Sequence, residues 1–456
     1  MSKKKSLVSG QDTEDIVSGP GMKRKGKMPV FSVFGISCER IDPTLVKRHL
    51  AYLVLIAVLA KVMVLFATTT VFHSFIDYFD FQYYLQGAIN ILQGQVPYAD
   101  FGFDYPPLAL VPILLAFIPA LILESGNAFV LSFQFLMVIC DIIIVICIYL
   151  VGLKLYNEKT AFIAAFLYAT AFSVAYFVLT KYDAFPTCIL MLAVLFTVYN
   201  RNIQGYFALI IGFLAKIFPV IALPFTALYN AKSTSLKQEI TSILKIGIPV
   251  AVVCLVPVLV FKPGILLSYF SGSLVRTDVY VNTATYTLYA YLHDILHLGI
   301  SAATVSILMY GLMGLLLLFL VAIAYIEPEK DTRFLIKLLA VSIFVVIFCM
   351  KYHSPQYVVW FTPFVCLLVA DSIYGIIFFY VTQAITYFEF PLAFGTLYFN
   401  VNYVGEPGTS IWYLALVFFT VNFMAYIILL YLAVKPTGSH ARMLFGKILE
   451  KLERKT

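Results

Sequence analysis

The chain has 456 residues, of which 62% are hydrophobic and only 12% charged, about half the charged fraction of a soluble domain. This excludes a soluble enzyme and asks for lipid as solvent, with about 20 apolar residues per helical crossing of a hydrocarbon core about 30 Å thick. The net charge of +7 is no nucleic-acid footprint: residues 1–49 hold ten Lys/Arg against five acids and residues 435–456 six against two, and basic tails on a neutral body predict cytoplasmic termini and an even number of crossings.

In chain order, residues 1–49 read as a basic tail, disordered at its start and unlike a cleavable signal peptide. A first crossing over about 50–69 leads into an outer loop, 71–127. Its polar and aromatic part is Val71–Tyr105; the apolar stretch Pro106–Leu123 contains Pro106, Pro107, Pro112 and Pro119, which disfavour a straight spanning helix, so it reads as helices lying at the outer interface. Crossings follow at about 128–152, 161–180 and 184–200, with the Lys154–Lys159 and Arg201 loops inside. Lys216 and Pro219 interrupt the apolar run Gly205–Asn230, which predicts two short helices meeting near Lys216 on the outer side. Further crossings fall at about 243–261, 300–325, 334–351, 355–371, 372–395 and 410–434, with a second outer loop rich in Tyr and Thr at 262–300. The total is twelve: an all-α polytopic membrane protein with one transmembrane domain, 50–434, between basic tails 1–49 and 435–456. Cys140, Cys147, Cys188, Cys254, Cys349 and Cys366 lie in or beside apolar runs with no CxxC pair, so they read as small hydrophobes rather than disulfides or metal ligands.

Four acids, Asp77, Asp80, Asp100 and Asp104, cluster in the first outer loop. Asp80 opens an amphipathic segment with aromatics at Phe81, Tyr83 and Tyr84 and apolar residues at Ile89, Ile91 and Leu92, the pattern of a helix lying flat on a membrane. A carboxylate there, partly shielded from water, could act as general base toward a sugar hydroxyl. Such acids can equally form the solvated face of a loop.

The run Asp80-Phe-Gln-Tyr-Tyr, with Gly94-Gln-Val-Pro-Tyr98 and Phe103-Asp-Tyr-Pro-Pro107 after it, resembles the first-loop pattern of the GT-C superfamily of glycosyltransferases. It is most similar to the polyprenyl-phosphate-mannose-dependent mannosyltransferases of glycosyltransferase family 87. Lys181-Tyr-Asp183, Gly212-Phe-Leu-Ala-Lys216-Ile-Phe-Pro219, and Ser354-Pro-Gln-Tyr357-Val-Val-Trp360 with Pro363 are similar to stretches of this group and of GPI-type mannosyltransferases. The resemblance covers residues 70–365. It implies a GT-C-like bundle, a lipid-phosphate-linked sugar donor, transfer of a hexose, mannose by the resemblance, to a lipid or glycan acceptor at the outer face, and an acidic first-loop residue as catalytic base. By position that residue is Asp80, with Asp77 as the alternative. Tyr83, Tyr84, Tyr98, Asp104, Tyr105, Asp183, Gln356 and Tyr357 are the expected sugar- or acceptor-binding residues.

A phosphate leaves readily once cations meet its charge, so the reaction needs one base and one anion clamp, with inversion at the anomeric carbon. Lys351 and His353, at the outer end of a crossing, are favoured for the clamp; Lys216, Lys181, Arg276 and His293 are further candidates, although Lys181 and Lys216 could simply snorkel to the interface. No His/Asp cluster has metal-ligand spacing, and the first-loop acids could hold a hard cation only loosely. With no nucleotide fingerprint either, no cofactor is expected. The partners expected are the polyprenyl-phosphate sugar, the acceptor and membrane lipids, with no nucleic acid. The resemblance favours a prokaryotic plasma membrane over an endoplasmic reticulum. A transporter or flippase of lipid-linked sugars is the competing class; such proteins place ionisable groups at mid-membrane and show repeat symmetry. Asp141 is the clearest ionisable residue inside a span, and no repeat is evident.

Overall fold

The computed structural model describes residues 31–34, 36–38, 42–71, 78–261, 279–352, 354–398 and 406–435. Asp77, Arg276 and His353, and most of both basic tails, lie outside the described residues. The chain divides into two compact units, Met1–Val46 and Lys47–Thr456. The first holds an antiparallel hairpin, β1 (Phe31–Val33) and β2 (Ile36–Cys38).

The second unit is a helical bundle. It begins within α1 (Pro43–Phe66) and continues through α2 (Phe79–Leu92), α3 (Leu110–Ile122), α4 (Gly126–Leu155), α5 (Glu158–Ala169), α6 (Phe172–Thr180), α7 (Ala184–Val198), α8 (Asn202–Ala215), α9 (Ala222–Asn230) and α10 (Leu236–Phe261). After residues 262–278 come α11 (Ala284–Tyr289), α12 (Ala302–Ile326), α13 (Thr332–Cys349), α14 (Val358–Val369), α15 (Ile373–Tyr387) and α16 (Ser410–Val434). Polar caps start these helices where the apolar runs begin: Asn157 accepts the Thr160 N–H at 3.0 Å, Asp331 that of Phe334 at 2.6 Å and Ser301 that of Thr304 at 3.1 Å, each satisfying an amide the helix cannot.

Among the described residues, six helices are long and apolar enough to cross a membrane, the spans Pro43–Thr70, Gly126–Leu155, Ala302–Ile326, Thr332–Cys349, Ile373–Phe394 and Ser410–Val434; α5 and α6, bent by 54°, make a seventh if counted as one. These helices make the chain an integral membrane protein. The predicted single helix at 161–180 is therefore two. The Thr170 hydroxyl donates to the Phe166 carbonyl at 2.7 Å and also meets Tyr380 Oη at 2.7 Å, a side-chain bond that competes with the helical ladder, and Ala171 is extended. Other predicted crossings are short. At 1.5 Å per residue, 15-residue α7 and 14-residue α8 measure about 22 and 21 Å, less than the roughly 30 Å of a bilayer core. In the Pro106–Leu123 stretch a 3₁₀ turn, Pro107–Ala109, runs into α3. The buried face of α2 is Phe81, Tyr84, Gly87 and Ala88; of the other residues expected on the apolar side, Tyr83, Ile89 and Ile91 are half-buried and Leu92 is exposed.

The short helices give the bundle two distinct ends. At one, the α4–α5, α7–α8, α9–α10, α12–α13 and α14–α15 turns meet. Lys154 lies over the Tyr199 ring at 4.4 Å and Arg333 over that of Tyr156 at 5.4 Å; Arg333 pairs with Asp371 at 3.0 Å, and Lys232 donates to the Lys330 carbonyl at 3.0 Å. At the other, the start of α2, the α6–α7 and α8–α9 breaks and the start of α14 converge.

Candidate active site

The α6–α7 and α8–α9 breaks at that second end place charged side chains there. Asp80, in the first turn of α2, has its Oδ2 3.0 Å from the ammonium of Lys181, which follows α6; the side chains are 16% and 6% exposed. Two residues on, Asp183 opens α7, and its Oδ1 lies 2.6 Å from Lys216 Nζ, which ends α8. Tyr182, between the two charged residues, donates its hydroxyl to the Ala215 carbonyl at 2.6 Å and so ties the α6–α7 break to the end of α8. Gly212 makes the turn at Lys216 feasible, because a Cβ there would come within 2.9 Å of Pro219 Cβ. Two carboxylate–ammonium pairs thus stand side by side.

Aromatic rings wall the pairs. The Tyr84 hydroxyl donates to Asp80 Oδ2 at 3.3 Å and lies 3.5 Å from that of Tyr105. The Tyr105 ring is 4.9 Å from that of Tyr182, and its carbonyl accepts from the Tyr98 hydroxyl at 2.5 Å. Tyr83 stacks on Phe103 and accepts the Asp104 N–H at 2.8 Å. Lys216 Nζ is surrounded by the rings of Tyr182, Tyr357 and Trp360 at 5.0 Å and of Tyr105 at 5.6 Å, an arrangement that favours a cation. Burial pushes the Tyr83 phenol up to about 12. It also raises those of Tyr84 and Tyr105, with the Asp80 carboxylate adding to the effect. These tyrosines stay protonated near neutrality and can donate hydrogen bonds.

The structure therefore brings together Asp80, Tyr83, Tyr84, Tyr98, Tyr105, Lys181, Asp183, Lys216 and Tyr357. Asp104 is exposed at the edge, and Gln356 is buried in the 3₁₀ turn Pro355–Tyr357 that precedes α14. Asp100 caps a turn, accepting the Val96 N–H at 2.7 Å. Lys351 is buried, with its ammonium 5.0 Å from the Tyr352 ring and its carbonyl accepting the Tyr280 N–H at 3.1 Å. His293 stacks on Tyr289 at 5.0 Å. The sequence reading gave no role to two residues of its own motifs, Trp360, whose indole N–H donates to Asp183 Oδ1 at 2.5 Å, and Phe218, which stacks on that indole. It also missed Lys61, whose ammonium is 2.5 Å from Asp141 in the bundle interior; a lone lysine in an apolar run was the available signal, since such a charge needs a partner. Among the described residues, no group of three or more His, Cys, Asp or Glu could hold a metal ion.

No family model matches the chain, and no curated protein does. Among solved structures, it is similar to the crystal structure of ArnT from Cupriavidus metallidurans in the apo state, with 12% sequence identity and a TM-score of 0.44 over 81% of this chain and 72% of that one.

Proposed function

We propose that the protein is a GT-C-type glycosyltransferase that moves a hexose, mannose by motif resemblance, from a polyprenyl phosphate to a lipid or glycan acceptor. The observation that carries this reading is the pairing of Asp80 with Lys181 beside Asp183 with Lys216, at the end of the bundle opposite its basic turns. By the positive-inside rule those turns are cytoplasmic, which puts the paired charges toward the outer face. Because α7 and α8 are shorter than the bilayer core, their ends sit at a depth that a lipid-borne phosphate reaches without leaving the membrane.

Asp80 is the general base. The acceptor hydroxyl oxygen attacks the anomeric carbon from the face opposite the phosphate. As the new C–O bond forms, Asp80 takes the hydroxyl proton, and the bond from the anomeric carbon to the phosphate oxygen breaks with its electron pair on the phosphate. Inversion follows from that geometry. Lys216 meets the charge that develops on the leaving phosphate and Lys181 holds the phosphate of the bound donor, while Tyr83, Tyr84, Tyr98 and Tyr105 offer ring faces and hydroxyls to the sugars. The carboxylates have ammonium partners, which supports a reaction without a metal. A prokaryotic plasma membrane fits the motifs best.

The test is to reconstitute the purified protein in liposomes with radiolabelled polyprenyl-phosphate hexoses and an extract of membrane lipids and glycans. Label appearing on an acceptor, and lost with Asp80→Asn, supports the transferase. Label that crosses the bilayer still attached to its carrier would make the protein a flippase, a reading to which the Lys61–Asp141 pair inside the spans lends its one observation.

A further inference from the structure

Asp183 Oδ1 accepts from two donors, the Lys216 ammonium at 2.6 Å and the Trp360 indole N–H at 2.5 Å. The indole has no freedom to turn. Phe218 stacks on it at 4.1 Å with 2° between planes, and Tyr357 at 3.8 Å with 25°; at those separations the two rings cannot share a face, so the indole is sandwiched. Neither face is left for a sugar, and Trp360 is 2% exposed. What the residue presents is its N–H, aimed at one carboxylate oxygen.

That oxygen governs Lys216. An ammonium has three protons to donate, and Lys216 gives one to Asp183, with the rings of Tyr182 and Tyr357 beside it at 5.0 Å. It has no other hydrogen-bond acceptor among the described residues. Asp183 thus holds Lys216 by a single bond, and Trp360 fixes where Asp183 stands. We infer that Trp360 is a positioning residue: through Asp183 it aims the two unspent protons of Lys216 at the phosphate of the lipid donor. This rests on the proposed transferase reading, whose donor supplies that phosphate.

The experiment measures direct binding of radiolabelled farnesyl phosphate to the full chain in nanodiscs. Trp360→Phe keeps a ring in the sandwich and removes the N–H together with the second ring; it should weaken binding by about tenfold or more, the scale of a lost hydrogen bond to a charged group. Asp183→Asn, which preserves shape, should do the same. The decisive arm is a double-mutant cycle: in a Lys216→Gln background, Trp360→Phe should change nothing further, because its effect passes through the ammonium. Wild-type affinity in Trp360→Phe, or a loss in the cycle that simply adds, overturns the positioning role while leaving the transferase reading intact. A wild-type chain that does not bind farnesyl phosphate overturns both.

Discussion

The Lys181 ammonium sits 3.0 Å from Asp80 Oδ2, across a sequence gap that joins the start of α2 to the end of α6. The contact is mostly enclosed, and it occupies a lone pair that an acceptor hydroxyl would need. A donor phosphate arriving beside Lys181 offers that ammonium a second anion, and its movement toward the phosphate frees the carboxylate. On the proposed mechanism the ion pair links donor binding to availability of the base.

Lys181→Gln should accordingly raise the donor KM by about tenfold, the scale of a lost charge-assisted hydrogen bond, and leave kcat within a few-fold of the wild type. Steady-state kinetics with varied donor at saturating acceptor read both. A collapse of kcat at unchanged KM would place Lys181 in the chemical step instead.

The two lysines ranked differently by sequence and structure offer a direct comparison. Lys216→Gln should weaken donor use by about 1.5–3 kcal/mol and Lys351→Gln by much less, because Lys216 stands with Asp183 and the tyrosines whereas Lys351 lies against Tyr352. Equal losses in kcat/KM would return Lys351 to the clamp.

Much of this arrangement was legible in the sequence wherever a charge or proline broke an apolar run. Lys216 with Pro219 marked the α8–α9 break, and Asp80 with its aromatics marked α2. What stayed hidden depends on distance in the chain. Trp360 stands in a motif that the sequence singles out, but its partner Asp183 lies 177 residues away, so no local pattern joins them. Lys351 ranked first because it precedes the Ser354-Pro355-Gln356-Tyr357 run, but a local pattern cannot show that Lys216 meets Asp183. The break at Thr170 was invisible because a threonine in an apolar run bends a helix only when its hydroxyl is turned to the backbone.

Lys61 and Asp141 make the next test. Their side chains are 2% and 0% exposed, and leaving either charge alone should cost about 3–5 kcal/mol. Lys61→Met and Asp141→Leu should each lower the unfolding temperature in detergent, while the combined variant should recover most of the loss, since an apolar pair carries no desolvation penalty. A double variant as unstable as the singles would mean the pair has a role that apolar packing cannot replace.

Topology follows from the separation of the basic turns from the paired charges. A cysteine at Gln95, which is exposed beside Gly94 at φ +82°, should react with a membrane-impermeant maleimide added outside intact cells, and one at exposed Lys237 only after permeabilisation. Gln95 suits this better than Gly94, whose backbone strains any side chain. The reverse labelling pattern would invert the protein in the membrane.

Asp80→Asn is the sharpest test of the chemistry. The asparagine keeps the size of the side chain and can still accept from Tyr84, but it cannot take the proton of an acceptor hydroxyl, so turnover should fall by at least the ~100-fold typical of lost general-base catalysis. Donor binding should largely survive, because Lys216 remains held by Asp183. Asp100→Asn and Asp104→Asn are controls: the first carboxylate caps a turn and the second is exposed, so both variants should stay far more active when correctly folded at equal levels. Asp77→Asn completes the set. A dead Asp77→Asn beside an active Asp80→Asn would move the base three residues and spare the mechanism, while activity in all four would remove first-loop base catalysis altogether.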